Sequence, residues 1–186
     1  MGKLIYSMSV SLDGYVNSRE GSLDWVDIDA EVHGWFNDQA RGLAASLYGR
    51  RMYELMAGYW PHGETDPNAS DVERDFARIW NPLPKIVFST SLEAVEWNSR
   101  LVGGDVGVVY EGLRREFDGD LDVSGPSLAA QFIERGLVDE YRLVVHPVIL
   151  GGGTPFFPRG ERPIELRLFD THTFGNGAVY LGYEAR

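Results

Sequence analysis

Three short segments of this chain combine glycine, serine and arginine in a way that suits anion binding. Gly49-Arg50-Arg51 follows an apolar stretch and opens a helical one. At such a junction unpaired backbone N–H groups and the helix dipole favour a negative group, and guanidinium side chains add bidentate donors. Taken alone, two arginines opening a helix are more often a solvated face. Ser89-Thr90-Ser91 ends the apolar run Lys85-Ile86-Val87-Phe88. Its hydroxyls and amides can hold a phosphate or simply form a polar turn. Ser124-Gly125-Pro126-Ser127 links a strand pattern to a helix, and reads either as a pyrophosphate cradle or as an ordinary cap. Three such junctions, each at a strand end, imply one crevice along the carboxyl edge of a sheet, where open α/β sheets bind ligands.

Other chemistries are excluded by what is missing. No G-x-G-x-x-G follows a strand, and neither a G-x-x-x-x-G-K-[ST] loop nor a G-x-S-x-G elbow occurs. Gly151-Gly152-Gly153 alone indicates only a tight turn. His33, His62, His146 and His172 are scattered without metal spacing. Asp118, Asp120 and Asp122 imitate the start of a calcium loop, but Val123 stands where that loop needs glycine and Ala129 where it needs glutamate. No metal site is expected. The chain has no cysteine, so thiol catalysis and disulfides are excluded. Its formal charge of −11 repels nucleic acid and anionic membranes, and the adjacent basic pairs, Arg50-Arg51 and Arg114-Arg115, are large enough for one phosphate group but not for a duplex. Neither a run of ~20 apolar residues nor a signal-peptide pattern is present, which suits a cytoplasmic protein.

The elements that must position these junctions follow from periodicity. The 186 residues suffice for a single domain spanning 1–186. Residues 3–10 read as a strand, 18–29 as loop, and Ala30 to Leu47 as helix, with Leu47-Tyr48-Gly49 a short strand. Arg50 to Ala57 is a second helix, and 60–69 a loop rich in Pro and Gly. Ser70-Asp71-Val72-Glu73 fits a capping box for a helix to about Trp80, followed by a strand at 85–88. Residues 92–107 give no clear pattern. Val108 to Phe117 reads as helix, 121–123 as strand, Pro126 to Arg135 as helix, and Tyr141 to Val148 as a central strand. Alternation at Ile164, Leu166 and Leu168, then Asn176-Gly177 and Val179, Leu181 and Tyr183, predicts a terminal hairpin. About eight strands and at least four helices, alternating, make an α/β sandwich.

In this order the segments resemble the reductase domain of riboflavin biosynthesis and its dihydrofolate-reductase-like relatives. The resemblance is carried by Ser9-Val10-Ser11-Leu12-Asp13-Gly14-Tyr15, Leu47 to Glu54, Lys85 to Ser89, and above all Gly136 to Gly151 with Gly153 and Pro155-Phe156-Phe157. It covers nearly the whole chain. It implies a mixed, mainly parallel sheet flanked by helices with an antiparallel hairpin at the end, a homodimer, and NADPH as hydride donor to a small molecule. By motif position Arg50 and Arg51 would grip the cofactor's 2′-phosphate beside Ser89 and Thr90. Gly125, Pro126, Ser127 and Leu128 would receive the pyrophosphate, and Ser9 and Val16 would border the nicotinamide. Asp13 is read as organising its turn. Trp25, His146 and Pro147 are the candidates for the substrate side, and no catalytic acid is assigned.

Departures bear on the substrate. Aligning Trp35-Phe36 with the family's aromatic pair puts Val32 where dihydrofolate reductases carry a carboxylate, with Glu31 ~100° around the helix, which argues against folate. Tyr15 follows Asp13-Gly14 where the riboflavin reductase usually has a basic residue, Met52 replaces a usual threonine, and Ser124-Gly125 a common Gly-Gly. The expectation is an NADPH-dependent reductase of a small heterocyclic or carbonyl compound. The alternative is a catalytically silent binding module that keeps the fold.

Overall fold

Alternation along the first strand sorts its side chains onto two unlike faces. In β1 (Leu4–Ser11) the side chains of Leu4, Tyr6 and Val10 are buried in the main core, while Ile5, Ser7 and Ser9 line a cavity. The same division repeats in β3 (Leu43–Gly49) and β6 (Asp120–Ser124): Ala45, Leu47, Leu121 and Val123 join the core, and Ser46, Tyr48, Asp122 and Ser124 face the cavity. Period-two geometry therefore builds one wholly apolar face and one mixed face from the same strands. These observations come from a computed structural model that describes residues 2–160 and 163–186.

Between these strands run β2 (Tyr15–Asn17), α1 (Ala30–Arg41), α2 (Arg50–Gly63), α3 (Asp71–Trp80), β4 (Lys85–Phe88), β5 (Ser99–Val102) and α4 (Val106–Glu116). After β6 come α5 (Pro126–Glu134), β7 (Glu140–His146), β8 (Thr154–Pro155), β9 (Leu166–Thr173) and β10 (Val179–Ala185). The main sheet has eight strands in the order β5-β4-β3-β6-β1-β7-β10-β9, and all pairs are parallel except the two made by β10. Helices α4 and α5 cover the apolar face through Val106, Tyr110, Leu113, Leu128, Ala129 and Phe132. On the other face α3 packs against both α1 and α2, and these three helices roof the cavity. β2 and β8 pair as a separate two-stranded sheet. There Gly153 has φ +146°, and a Cβ on it would lie 1.9 Å from the Asn17 carbonyl oxygen, so the close approach requires glycine.

The structure departs from the sequence pattern in three places. Helix α1 ends at Arg41, where the Gly42 N–H closes the last turn on Gln39 and Ala40 carbonyls, and the strand expected at 47–49 begins already at Leu43. Leu43 and Leu47 fit a helical period, but the segment lies between β4 and β6, where a run apolar on both faces is stable as strand. Helix α2 continues through Pro61 to Gly63, beyond the expected stop at Ala57. Its last turn is held by packing: Trp60 lies 4.4 Å ring to ring from Phe76, and Gly63 is buried against Ala77. The unassigned stretch supplies edge strand β5. The hairpin turn falls at 174–177 as expected, with Gly177 at φ +86°.

Helix α3, which carries Phe76, Ile79 and Trp80 to the cavity, is fixed at both ends. Ser70 and Glu73 form the reciprocal capping box anticipated from sequence. At the other end buried Lys85 donates from Nζ to the carbonyls of Trp80 and Asn81 at 2.8 and 3.3 Å, and burial pulls its pKa down to about 8. We expect Ser70→Ala to cost ~1 kcal/mol, lowering Tm by about 2–4 °C in thermal unfolding followed by circular dichroism, because one helix N–H and the Ser70–Glu73 exchange lose their partners.

Candidate functional site

Parallel pairing delivers the three junctions to one edge. Gly49 is in register with Phe88 of β4, and Tyr48 with Ser124 of β6. The segments beginning at Arg50, Ser89 and Gly125 therefore leave neighbouring strands side by side, across ~10 Å of sheet edge. Two helices start here, α2 after Gly49 and α5 after Gly125, and neither N-cap has a side-chain hydrogen bond. The other three helices are capped by the side chains of Asp29, Ser70 and Asp105. The free N–H groups of the molecule's uncapped helix starts thus converge on this edge. A Cβ on Gly125 would come 3.5 Å from Met52 Cβ, and one on Gly49 would come 3.6 Å from Leu128 Cβ, so the two helix starts touch. Gly125 has φ +100°, which favours glycine.

Side chains at the edge divide into available and committed. Arg51 is exposed, and Arg50 is half-exposed with only an i,i+4 contact to Glu54 at 3.3 Å. Such a surface pair is worth about 0.3–0.5 kcal/mol and yields readily to a stronger anion. Thr90 and Ser127 are exposed, and Pro126 is half-buried. The Ser89 Oγ accepts from the N–H groups of Ser91 and Leu92, both at 3.1 Å, and so stabilises its own turn. Leu128 turns its side chain into the core, leaving its backbone N–H as what it can offer. Ser124 donates its hydroxyl at 2.6 Å to Asp122, away from the edge.

Beside the edge lies a cavity of about 500 Å³. Its walls are mainly apolar, from Phe36 of α1, Met52, Met56 and Trp60 of α2, Phe76 and Trp80 of α3, and Leu23, Val26 and Ile28 of the loop before α1, with His33 and Gln39 of α1 as polar members. The sheet forms a polar floor of Ser7, Ser46, Asp122, Ser124 and Arg142. Ser9, Val16, Met52 and Ser124 also line the cavity, and Met52 and Ser124 belong to the edge as well, beside Gly125. Asp122 accepts from the Ser46 and Ser124 hydroxyls, yet burial outweighs those bonds and raises its pKa above the ordinary carboxylate value. Tyr48 receives a hydrogen bond from Trp80 Nε1 at 3.1 Å, and burial, reinforced by Asp122, pushes its phenol up. Arg142 is held by Glu140 at 2.6 Å and by Gln39. Burial opposes ionisation of Glu140, but Lys3 and Arg142 outweigh it and hold the carboxyl below its usual range.

The three substrate-side candidates occupy a different place from the cavity. His146 is buried, with Nε2 3.1 Å from Ser9 Oγ, and Trp25 meets its ring edge-on at 5.8 Å. Burial lowers the His146 pKa, with Asp27 opposing. Pro147 is exposed, and none of the three is among the lining residues, though Ser9, which His146 contacts, is. Asp13 organises its turn as expected, accepting from Ser11 Oγ at 2.7 Å and from the N–H groups of Leu150 and Gly151. Val32 is fully buried, and Glu31 points to the hairpin turn, accepting from Gly175 N–H at 2.8 Å, so neither places a carboxylate in the cavity. Sequence reading missed Ser7, Ser46, Asp122 and Arg142. Their signal was a polar residue at alternate positions of otherwise apolar strands. Among the described residues no group of three or more His, Cys, Asp or Glu side chains could hold a metal, and no helix is long and apolar enough to cross a membrane.

With this geometry established, comparison with known proteins gives a consistent picture. The uncharacterized protein YyaP of Bacillus subtilis is 31% identical over 182 residues, covering 97% of this chain and 94% of its own. A solved structure from Shewanella sp. PV-4, described as a riboflavin biosynthesis protein, superposes with a TM-score of 0.79 at 22% identity and 99% coverage of both chains. Dihydrofolate reductase from Enterococcus faecalis, complexed with NADP(H) and RAB-propyl, superposes with a TM-score of 0.66 at 16% identity, covering 100% of this chain and 97% of its own. The fold is therefore dihydrofolate-reductase-like. The profile of the RibD C-terminal domain matches residues 2–180, and the chain belongs to that family.

Proposed function

We propose that this chain, acting as one domain, is an NADPH-dependent oxidoreductase of a small molecule, working in the cytoplasm as a homodimer. One observation carries the reading. Two uncapped helix starts and two arginines without a strong partner converge on a single strand edge, on a protein whose net charge is −11. Backbone N–H groups at helix starts hold phosphate well, and an acidic protein has little other use for such a local concentration of donors.

The residues present fit the cofactor. Arg50 and Arg51 stand where they can hold a 2′-phosphate, with Ser89 and Thr90 on the neighbouring strand end. The first turn of α5, from Gly125 through Leu128, offers its amides to the pyrophosphate, and Ser124 and Gly49 form the base of that cradle. Ser9 and Val16, which line the cavity, would border a nicotinamide. When bound, NADPH supplies a hydride; the protein's part is to orient both partners and keep the meeting point dry. The apolar side chains of Met52, Met56, Trp60 and Phe76 line the same cavity as Ser9 and would limit water there.

Two substitutions separate the components of the edge. Arg50→Ala removes a charge-assisted contact worth roughly 1.5–3 kcal/mol, so calorimetric titration should show NADPH weakened about ten- to a hundred-fold while NADH changes little. Equal losses for both cofactors, or no NADPH binding to the unaltered chain at millimolar concentration, would overturn the proposal. Gly125→Ala forces an L side chain into a φ of +100° against Met52, costing about 1–2 kcal/mol of local strain. In the same titration it should weaken NADPH and NADH alike, by about tenfold, since the pyrophosphate is common to both.

A further inference from the structure

Apart from Ser124, the polar floor of the cavity has no part in the proposed cradle for a phosphorylated cofactor. Asp122 sits within β6, flanked in register by Ser46 of β3 and Ile5 of β1. One serine hydroxyl reaches each of its oxygens, and a carboxyl group has capacity for further partners. Ser7, two residues beyond Ile5 on β1, lines the same floor with a buried Oγ that has no partner among the described residues. An apolar side chain at 122 would suit the surrounding walls better, and buried polar groups are normally retained only when something satisfies them.

We propose that Asp122 is the specificity-determining anchor of this cavity, holding an uncharged, planar, largely apolar substrate through a paired donor–acceptor edge of the lactam or amide type. That the occupant is a substrate rests on the reductase reading above; that Asp122 anchors it does not. The charge balance of the site sets the class. Arg142, the one lysine or arginine side chain among the described lining residues, is already matched by Glu140 and Gln39, and His33, which also lines the cavity, is held through Nδ1 by Asn37, so a phosphate would find no unmatched guanidinium or ammonium. Both Asp122 oxygens already accept from serine hydroxyls and burial works against ionisation, so an ammonium gains less here than at a solvated carboxylate. A neutral carboxyl donates through its O–H and accepts through its C=O, which complements an adjacent N–H and C=O on a ring. The aromatic side chains of Phe36, Trp60, Phe76 and Trp80 provide flat faces for that ring.

The probe is 2-quinolone, a planar lactam, titrated by calorimetry into the full chain without cofactor and again with NADPH present. N-methyl-2-quinolone, which lacks the donor, and the N-methylquinolinium cation serve as comparators. We expect Asp122→Ala to weaken 2-quinolone about tenfold and N-methyl-2-quinolone hardly at all, the difference isolating the pairing between Asp122 and the ring N–H. Asp122→Asn, which keeps one donor and one acceptor at nearly the same shape, should retain 2-quinolone within a few-fold and guards against a folding defect in the alanine variant. No binding of 2-quinolone to the unaltered chain, equal losses of both lactams in Asp122→Ala, or tighter binding of the quinolinium cation would overturn the assignment. Should NADPH fail to bind while the lactam pattern holds, the reductase reading falls and the anchor stands. Should NADPH bind while Asp122→Ala holds 2-quinolone unchanged, the anchor falls alone.

Discussion

Parallel pairing of β3 with both its neighbours is the constraint on which the rest depends. In a parallel ladder every strand ends at the same edge, so β4, β3 and β6 deliver Ser89, Arg50 and Gly125 together without any contact among those side chains. The return connections must then cross a face of the sheet, and they do so as helices. Each helix that starts at the carboxyl edge brings unpaired N–H groups there. Reversing one strand would send one of these helix starts to the opposite end of the molecule, and the donors would no longer sum.

The two faces of the sheet show how the site is made compatible with stability. The face under α4 and α5 is continuous apolar packing from Leu4, Tyr6, Leu47, Leu121 and Val123, with Tyr6 stacked on Phe156 at 4.1 Å. The opposite face forgoes part of that burial to leave a cavity, and places Asp122, Ser46 and Arg142 beneath it. Every such group costs desolvation, and those costs are only partly offset by the serine bonds to Asp122 and by the Glu140–Arg142 pair. Polar expense concentrated on one face, with a well-packed face to carry it, is the arrangement expected where function and stability compete.

How much of this was legible in the sequence depends on the range of the interaction. Local signals were read directly: the Ser70–Glu73 box, proline at the start of α5, the turn before Gly177, and the glycines ahead of Arg50 and Pro126. Each depends on a few neighbouring residues. The strand expected at 47–49 is present, but it begins four residues earlier, because Leu43 and Leu47 satisfy a helical and a strand spacing equally and only the segment's central place in the sheet decides between them. Pro61 reads locally as part of a loop, because the packing of Trp60 on Phe76 that carries α2 past it is invisible from either residue's neighbours. Asp122 was weighed only as part of an aspartate spacing. Its pairing with Ser46, 76 residues away, exists only once β3 and β6 are aligned.

The edge and the cavity obey different electrostatics, and this is why they are separable. Arg50, Arg51 and the amides of α2 and α5 act where solvent has access, so their attraction for phosphate is moderated by screening and works against the repulsion of an acidic molecule. Asp122 acts within a space walled by aromatic and sulfur-containing side chains, where an ion is costly and a neutral hydrogen bond is strengthened. The first environment rewards charge in its ligand, and the second penalises it. A molecule spanning both would need phosphates at one end and an uncharged ring at the other; two molecules meeting at Ser9 and Val16 divide those properties between them. The physical boundary between the two regions is therefore also the boundary between the proposed cofactor and substrate.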